Sequence, residues 1–136
     1  MSFYKRLLLF LLAAFPFTGV YAAETSYIEW EAISADNAIE VNIHIVDGYY
    51  QSDYRSLFYF EIEENSCYIL GDIDYPEIPD DSSAKGFEGS FTLSAPFHLL
   101  NTEISDCESM GVTLHYQLCM GDLCLMPEYE TRIIEF

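Results

Sequence analysis

Apolar and polar residues alternate from Ala38 to Val46, where Ile39, Val41, Ile43 and Ile45 stand against Glu40, Asn42 and His44. A period of two sends successive side chains to opposite faces, so the segment predicts a strand with one buried and one wet face, ended by Asp47-Gly48. The same period returns from Val112 to Cys119. There Val112, Leu114, Tyr116 and Leu118 share one face and Thr113, His115, Gln117 and Cys119 the other, so Cys119 is expected to point away from the core. Leu57 to Glu63 is aromatic and β-rich, Cys67 to Leu70 continues a sheet, Ser90 to Ser94 alternates again, and Thr131 to Phe136 reads as a closing strand. No long amphipathic helical period interrupts them. Short strands between turn residues predict an all-β fold, an immunoglobulin-like antiparallel β-sandwich.

Asp72 to Gly89 breaks the pattern with Pro76, Pro79, Asp80-Asp81, Ser82-Ser83 and Gly86, and is read as a long surface loop. Loops of that length inside compact domains are usually functional or disordered. Phe87, near its end, is an apolar residue with no strand to join.

The N-terminus has Lys5 and Arg6, an apolar run from Leu7 to Phe17, and Val20-Tyr21-Ala22 before the first acidic residue, Glu24. This is the layout of a secretory signal peptide over residues 1–22, cut after Ala22, leaving one domain over 23–136. A membrane anchor is the alternative, but Pro16 interrupts a run that falls short of the roughly 20 residues needed to span a bilayer. An exported protein without membrane insertion after signal removal is expected. Formal net charge is −18 for the whole chain. The mature domain keeps only Arg55, Lys85 and Arg132 against 23 acidic residues. That balance excludes nucleic acid and anionic lipid as natural partners.

Export turns Cys67, Cys107, Cys119 and Cys124 into disulfide candidates. Four cysteines allow three pairings, among which sequence alone does not choose. A Cys119–Cys124 bond needs Cα atoms within about 7 Å, whereas five extended steps separate them by roughly 17 Å, so the chain must reverse between them. Gly121-Asp122 supplies a turn, which favours this pair and leaves Cys67 and Cys107 for a long-loop structural bridge. So small a ring removes little unfolded-state entropy, which makes exchange chemistry a better reason for the bond than stability, although a plain hairpin staple stays open. Asp122, Glu128 and Glu130 surround the pair in sequence with only Arg132 as a nearby cation, so nothing local lowers a thiol pKa.

Other chemistries find less support. Zinc usually needs two close ligand pairs, and Cys67, Cys107, His44, His98 and His115 are scattered, so no metal is expected; His115 reads as an ordinary exposed histidine. No Gly-x-Ser-x-Gly elbow or glycine-rich phosphate loop is present, and no cofactor is implied.

The stretch Val112-Thr113-Leu114-His115-Tyr116-Gln117-Leu118-Cys119, with Cys124-Leu125-Met126-Pro127-Glu128, resembles the N-terminal periplasmic domain of the thiol:disulfide interchange protein DsbD. Val46-Asp47-Gly48-Tyr49-Tyr50 looks like that family's Asp-Gly-Tyr-Tyr segment, and Gly86-Phe87-Glu88-Gly89 is similar to its aromatic-and-glycine cap loop. The resemblance implies an immunoglobulin-like, periplasmic thiol-disulfide oxidoreductase working through Cys119 and Cys124. Cys124 would form the mixed disulfide and Cys119 would resolve it; Phe87 would act as a lid and Tyr50 as a wall of the site. Implied partners are a thioredoxin-like or membrane electron-donor protein and oxidised periplasmic client proteins.

The chain also departs from that pattern. Met126 precedes a single Pro127 where the family commonly has two prolines, Ser52 stands where a tyrosine is expected, and Cys67 and Cys107 are additions. The chain ends at Phe136, so a separate electron donor is expected. The rival function is a non-enzymatic exported interaction module of immunoglobulin-like fold, whose disulfides are structural.

Overall fold

The computed structural model describes residues 26–63, 67–80, 85–100 and 107–135. The expected signal segment 1–22 lies outside them. Regular structure among the described residues is all strand: β1 (Ile28–Ala35), β2 (Ala38–Ile45), β3 (Tyr50–Gln51), β4 (Tyr59–Ile62), β5 (Tyr68–Leu70), β6 (Ser90–Leu99), β7 (Ser109–Tyr116), β8 (Leu118–Met120), β9 (Leu123–Cys124) and β10 (Glu128–Glu135). One sheet has the order β1-β2-β6-β5, a second β10-β7-β4, and a small third β3-β8-β9. Trp30, Ile39, Val41, Ile43 and Leu93 of the first sheet share one core with Phe60, Val112, Leu114 and Ile134 of the second. This is the antiparallel immunoglobulin-like sandwich expected from the alternation.

Strand β2 repeats the predicted pattern, with Ile39, Val41, Ile43 and Ile45 buried. It forms a hairpin with β1, a strand the alternation reading does not assign, in register from Ile28↔Ile45 to Ala35↔Ala38. The connection is Asp36-Asn37, both at positive φ (49° and 64°). Two left-handed residues make the hairpin turn whose twist matches the strands, and short Asx side chains tolerate that backbone. Strand β6 runs beyond Ser94 to Leu99, and the closing strand begins earlier than expected, at Glu128.

The segment after β5 is not simply a surface loop. Ile73, Tyr75 and Ile78 pack against the core, and Phe87 is buried within it. Tyr75 donates its hydroxyl to the Phe58 carbonyl at 2.6 Å, while isolated bridges Asp74↔Ser94 and Gln51↔Phe87 pin the segment to the framework. Its prolines and carboxylates prevent a regular strand, but its spaced apolar residues still find the core.

Strand β7 ends at Tyr116, where its pairing with β10 begins at Tyr116↔Glu128. Beyond a break at Gln117 the chain resumes as β8, which pairs with β3 instead. The candidate site sits on this change of partner.

Candidate redox site

Strands β8 and β9 form a tight hairpin with Cys119↔Cys124 and Met120↔Leu123 as facing pairs. Gly121 opens the turn at φ 60°, a backbone that glycine adopts without strain as the first central residue of a two-residue loop. A disulfide joins Cys119 to Cys124 with the Cα atoms 3.9 Å apart. The other two cysteines, Cys67 and Cys107, form a second disulfide with a Cα separation of 5.9 Å. Its ends are held by Tyr68, which donates to the Cys107 carbonyl at 2.7 Å, and by the Leu100 N–H on the Cys67 carbonyl at 2.7 Å.

The two sulfur-bearing residues of the hairpin differ in exposure. Cys119 is 0% exposed, whereas Cys124 is exposed. The expectation that Cys119 points away from the core is therefore corrected. Alternation decides which face a side chain takes, but burial depends on what lies over that face. Here Tyr50 faces Cys119 directly, so the two side chains project from the same face. Tyr50 then reaches along the hairpin and donates its hydroxyl to the Gly121 carbonyl at 2.8 Å, lying along the hairpin beside Cys119.

Gln51 anchors the base of the site. It is fully buried, the sole buried polar residue among those described. Its Oε1 accepts the Gln117 N–H at 2.8 Å and its Nε2 donates to the Ser52 carbonyl at 3.1 Å. On its other edge the Gln51 N–H donates to the Phe87 carbonyl at 3.0 Å, and the Phe87 N–H returns a 2.8 Å bond. Gly86 makes this approach possible, since a Cβ there would collide with the Gln51 carbonyl. Sequence reasoning missed Gln51; a glutamine between Tyr50 and Ser52 carries no pattern that marks it.

The Phe87 ring lies in an aromatic cluster with Phe58, Tyr75 and Phe91, at centroid distances of 5.4, 6.1 and 5.3 Å. Its backbone is the outer neighbour of β3, two ranks from β8. Lys85, just before it, lies 3.6 Å from the Asp122 carboxylate at the hairpin turn. The fold thus brings to the turn a cation distant in sequence, beyond the Arg132 that the local reading considered. Both side chains are largely exposed, so the pair contributes little to stability.

Tyr116, at the end of β7, donates its hydroxyl to Glu128 at 3.0 Å. Burial first, then that bond and the Glu130 charge, push its pKa well above the ordinary tyrosine value. His115 differs from the ordinary exposed histidine expected. It stacks on Tyr59 at 4.4 Å and bonds Glu61 at 2.9 Å, because strand pairing brings Tyr59 opposite it. Among the described residues no group of three or more His, Cys, Asp or Glu is placed to hold a metal ion.

The family model of the thiol:disulfide interchange protein DsbD, N-terminal, matches residues 21–135. The chain belongs to this family. Among solved structures, the Neisseria meningitidis DsbD N-terminal domain in the reduced form is similar at TM-score 0.60 and 18% identity, covering 81% of this chain and 86% of that one. A complex between the DsbD N-terminal and PilB N-terminal domains from Neisseria meningitidis matches at TM-score 0.43 and 17% identity, over 76% and 79% of the two chains. Comparison with curated proteins finds no match. In this DsbD N-terminal-family domain, one hairpin therefore carries the Cys119–Cys124 disulfide, Tyr50 reaches along it to the turn, and the Gln51–Phe87 bridge supports its base.

Proposed function

We propose that this domain is a periplasmic thiol-disulfide exchange relay, exported by the signal over residues 1–22. It takes electrons from a thioredoxin-like or membrane donor protein at Cys119–Cys124 and passes them to disulfides of exported client proteins. The observation that carries this reading is the unequal exposure of the pair, Cys119 enclosed and Cys124 open. Exchange requires direct access of one sulfur to another, and Cys124 is the exposed residue of the pair.

In the reduced domain the Cys124 thiolate attacks a client disulfide, one client sulfur departs as thiolate, and a mixed disulfide forms. The Cys119 thiolate then attacks the Cys124 sulfur, the client leaves as a dithiol, and the Cys119–Cys124 bond returns. The client gains two electrons and two protons, and the donor restores the domain by the reverse sequence. Tyr50 walls the buried sulfur. Phe87 acts as a lid that slows adventitious oxidation, and Cys67–Cys107 is a structural bridge.

A redox titration of the mature protein in glutathione and dithiothreitol buffers, with alkylation and peptide mapping, tests this. The relay requires Cys119 and Cys124 to titrate between about −200 and −270 mV while Cys67 and Cys107 stay oxidised. If both pairs resist reduction below about −300 mV, the disulfides are structural and the domain is an interaction module.

A further inference from the structure

Lys85 reaches the redox hairpin from the far side of β3. The segment that carries it meets the framework at the Gln51↔Phe87 bridge, on the edge of β3 remote from β8. Its ammonium nonetheless lies 3.6 Å from the Asp122 carboxylate, at the turn between β8 and β9. To get there the side chain passes over β3 and β8. One face of those strands is closed by the core, since the facing residues Gln51 and Leu118 are 0% and 4% exposed. The other face carries Tyr50, Cys119 and Cys124, which stand side by side in one row. The chain bends at Gly86, where a Cβ would come within 2.1 Å of the Gln51 carbonyl oxygen, so it turns against the β3 backbone instead of running on beside it. Lys85 is thereby laid over the face that bears the sulfurs.

We propose that Lys85 is the electrostatic partner of the Cys124 thiolate in the reduced domain, where its ammonium stands between that thiolate and Asp122. This deepens the exchange role proposed above and rests on it. In the disulfide form Cys124 carries no charge, and the ammonium sits on Asp122 alone. Once the donor has reduced the pair, the Cys124 thiol gives its proton to water and a negative charge appears two residues from Asp122, roughly 7 Å along an extended chain. A thiolate there is disfavoured by the carboxylate and favoured by the ammonium. Both charges lie within about the 8 Å over which salt leaves such interactions felt. An opposite charge about 6 Å away in a water-like medium raises the ionised fraction about threefold.

The surroundings single out Lys85 for this part. Residues 23–136 hold three Lys and Arg, namely Arg55, Lys85 and Arg132. Arg55 lies over the Tyr75 ring and 3.4 Å from Asp53, and Arg132 lies over Trp30. The other polar groups about the hairpin already have partners. The Tyr50 hydroxyl donates to the Gly121 carbonyl, Glu128 accepts from Tyr116, and Glu130 accepts from Trp30. Lys85 alone combines a positive charge, a place on the sulfur face and a long stem that lets the ammonium shift when Cys124 ionises.

The test is the pH profile of iodoacetamide alkylation at Cys124, read by peptide mapping in the reduced mature protein with Cys119→Ser, so that one hairpin thiol titrates. Lys85→Met, which keeps the stem and removes the charge, is expected to slow alkylation about threefold at pH 7 and to converge with the parent once the thiol is fully ionised. Lys85→Arg should restore the parent profile, and Asp122→Asn should shift it the other way. All differences should shrink in 1 M salt, where the screening length falls to about 3 Å. A Lys85→Met profile superimposed on the parent, or one slowed equally at every pH, overturns the electrostatic role. The relay then still stands if Cys124 forms a mixed disulfide with an activated disulfide such as dithionitrobenzoate. A Cys124 thiol inert to that reagent in the parent and the variants overturns both.

Discussion

The buried side-chain carbonyl of Gln51 accepts the backbone N–H of Gln117 at 2.8 Å, at the point where β7 ends and β8 begins. Gln117 falls between the two ladders, so its N–H has no strand partner there. The Gln51 amide takes the place of the missing strand and lets the hairpin change sheets without stranding a donor. Gln51→Leu keeps the volume and loses this bond, which costs about 1–3 kcal/mol for an unsatisfied buried N–H. Urea unfolding should show a lower midpoint at unchanged slope.

Removing Cys67–Cys107 affects stability and leaves exchange alone. Its sequence separation is 40, and opening a loop of that size costs about 4 kcal/mol in the chain-entropy model. The double variant Cys67→Ala/Cys107→Ala is expected to unfold at lower urea while the Cys119–Cys124 potential stays within error. A moved potential shows that the two disulfides are coupled.

The two cysteines of the hairpin should separate by role. With an activated disulfide substrate, Cys119→Ser traps a mixed disulfide on Cys124, because no resolving thiolate remains. Cys124→Ser forms essentially none, because Cys119 is enclosed. Mass spectrometry of the alkylated products reads both, and trapping on Cys119 would reverse the assignment.

Phe87→Ala has consequences on two axes. Loss of a buried ring from the cluster with Phe58, Tyr75 and Phe91 costs about 3–5 kcal/mol. If the ring also serves as lid, dithiothreitol reduces the folded variant's Cys119–Cys124 bond faster than that of the parent protein. Phe87→Leu keeps most of the packing and is expected to raise the rate as well. Unchanged reduction rates in both variants confine Phe87 to the core.

Tyr116 should make the fold sensitive to alkali. Its pKa is raised in the folded state by burial and by Glu128, so above about pH 10 the unfolded chain gives up a proton that the folded chain retains. Its stabilising contribution is whole below that pH and is lost as pH rises towards the folded-state value. Tyr116→Phe should flatten the decline of unfolding free energy above about pH 10, as followed by urea titrations at stepped pH.

Much of the framework was legible because it rests on local chemistry. The alternation in β2 and β7 reports one face against a core, and Gly121-Asp122 between two cysteines reports a reversal. Strand β1 escaped because its outer half is largely exposed and only Ile28 and Trp30 are buried. The hinge at Gln117 escaped for a different reason. Val112 to Cys119 alternates without interruption, and nothing along it signals that the backbone leaves one sheet for another.

By itself the sequence determined the strand periods, the turn chemistry, the acidic surface and the cysteine pair on a short reversal, since each depends on neighbours within a few residues. Only the tertiary structure decided that Cys119 is buried and Cys124 open, that Tyr50 reaches the hairpin turn, that Gln51 joins the Phe87 segment to its base, and that Lys85 meets Asp122. Burial and pairing are set by what other strands lay beside a residue. Those strands come from segments distant in sequence, and no period within one of them records its partner.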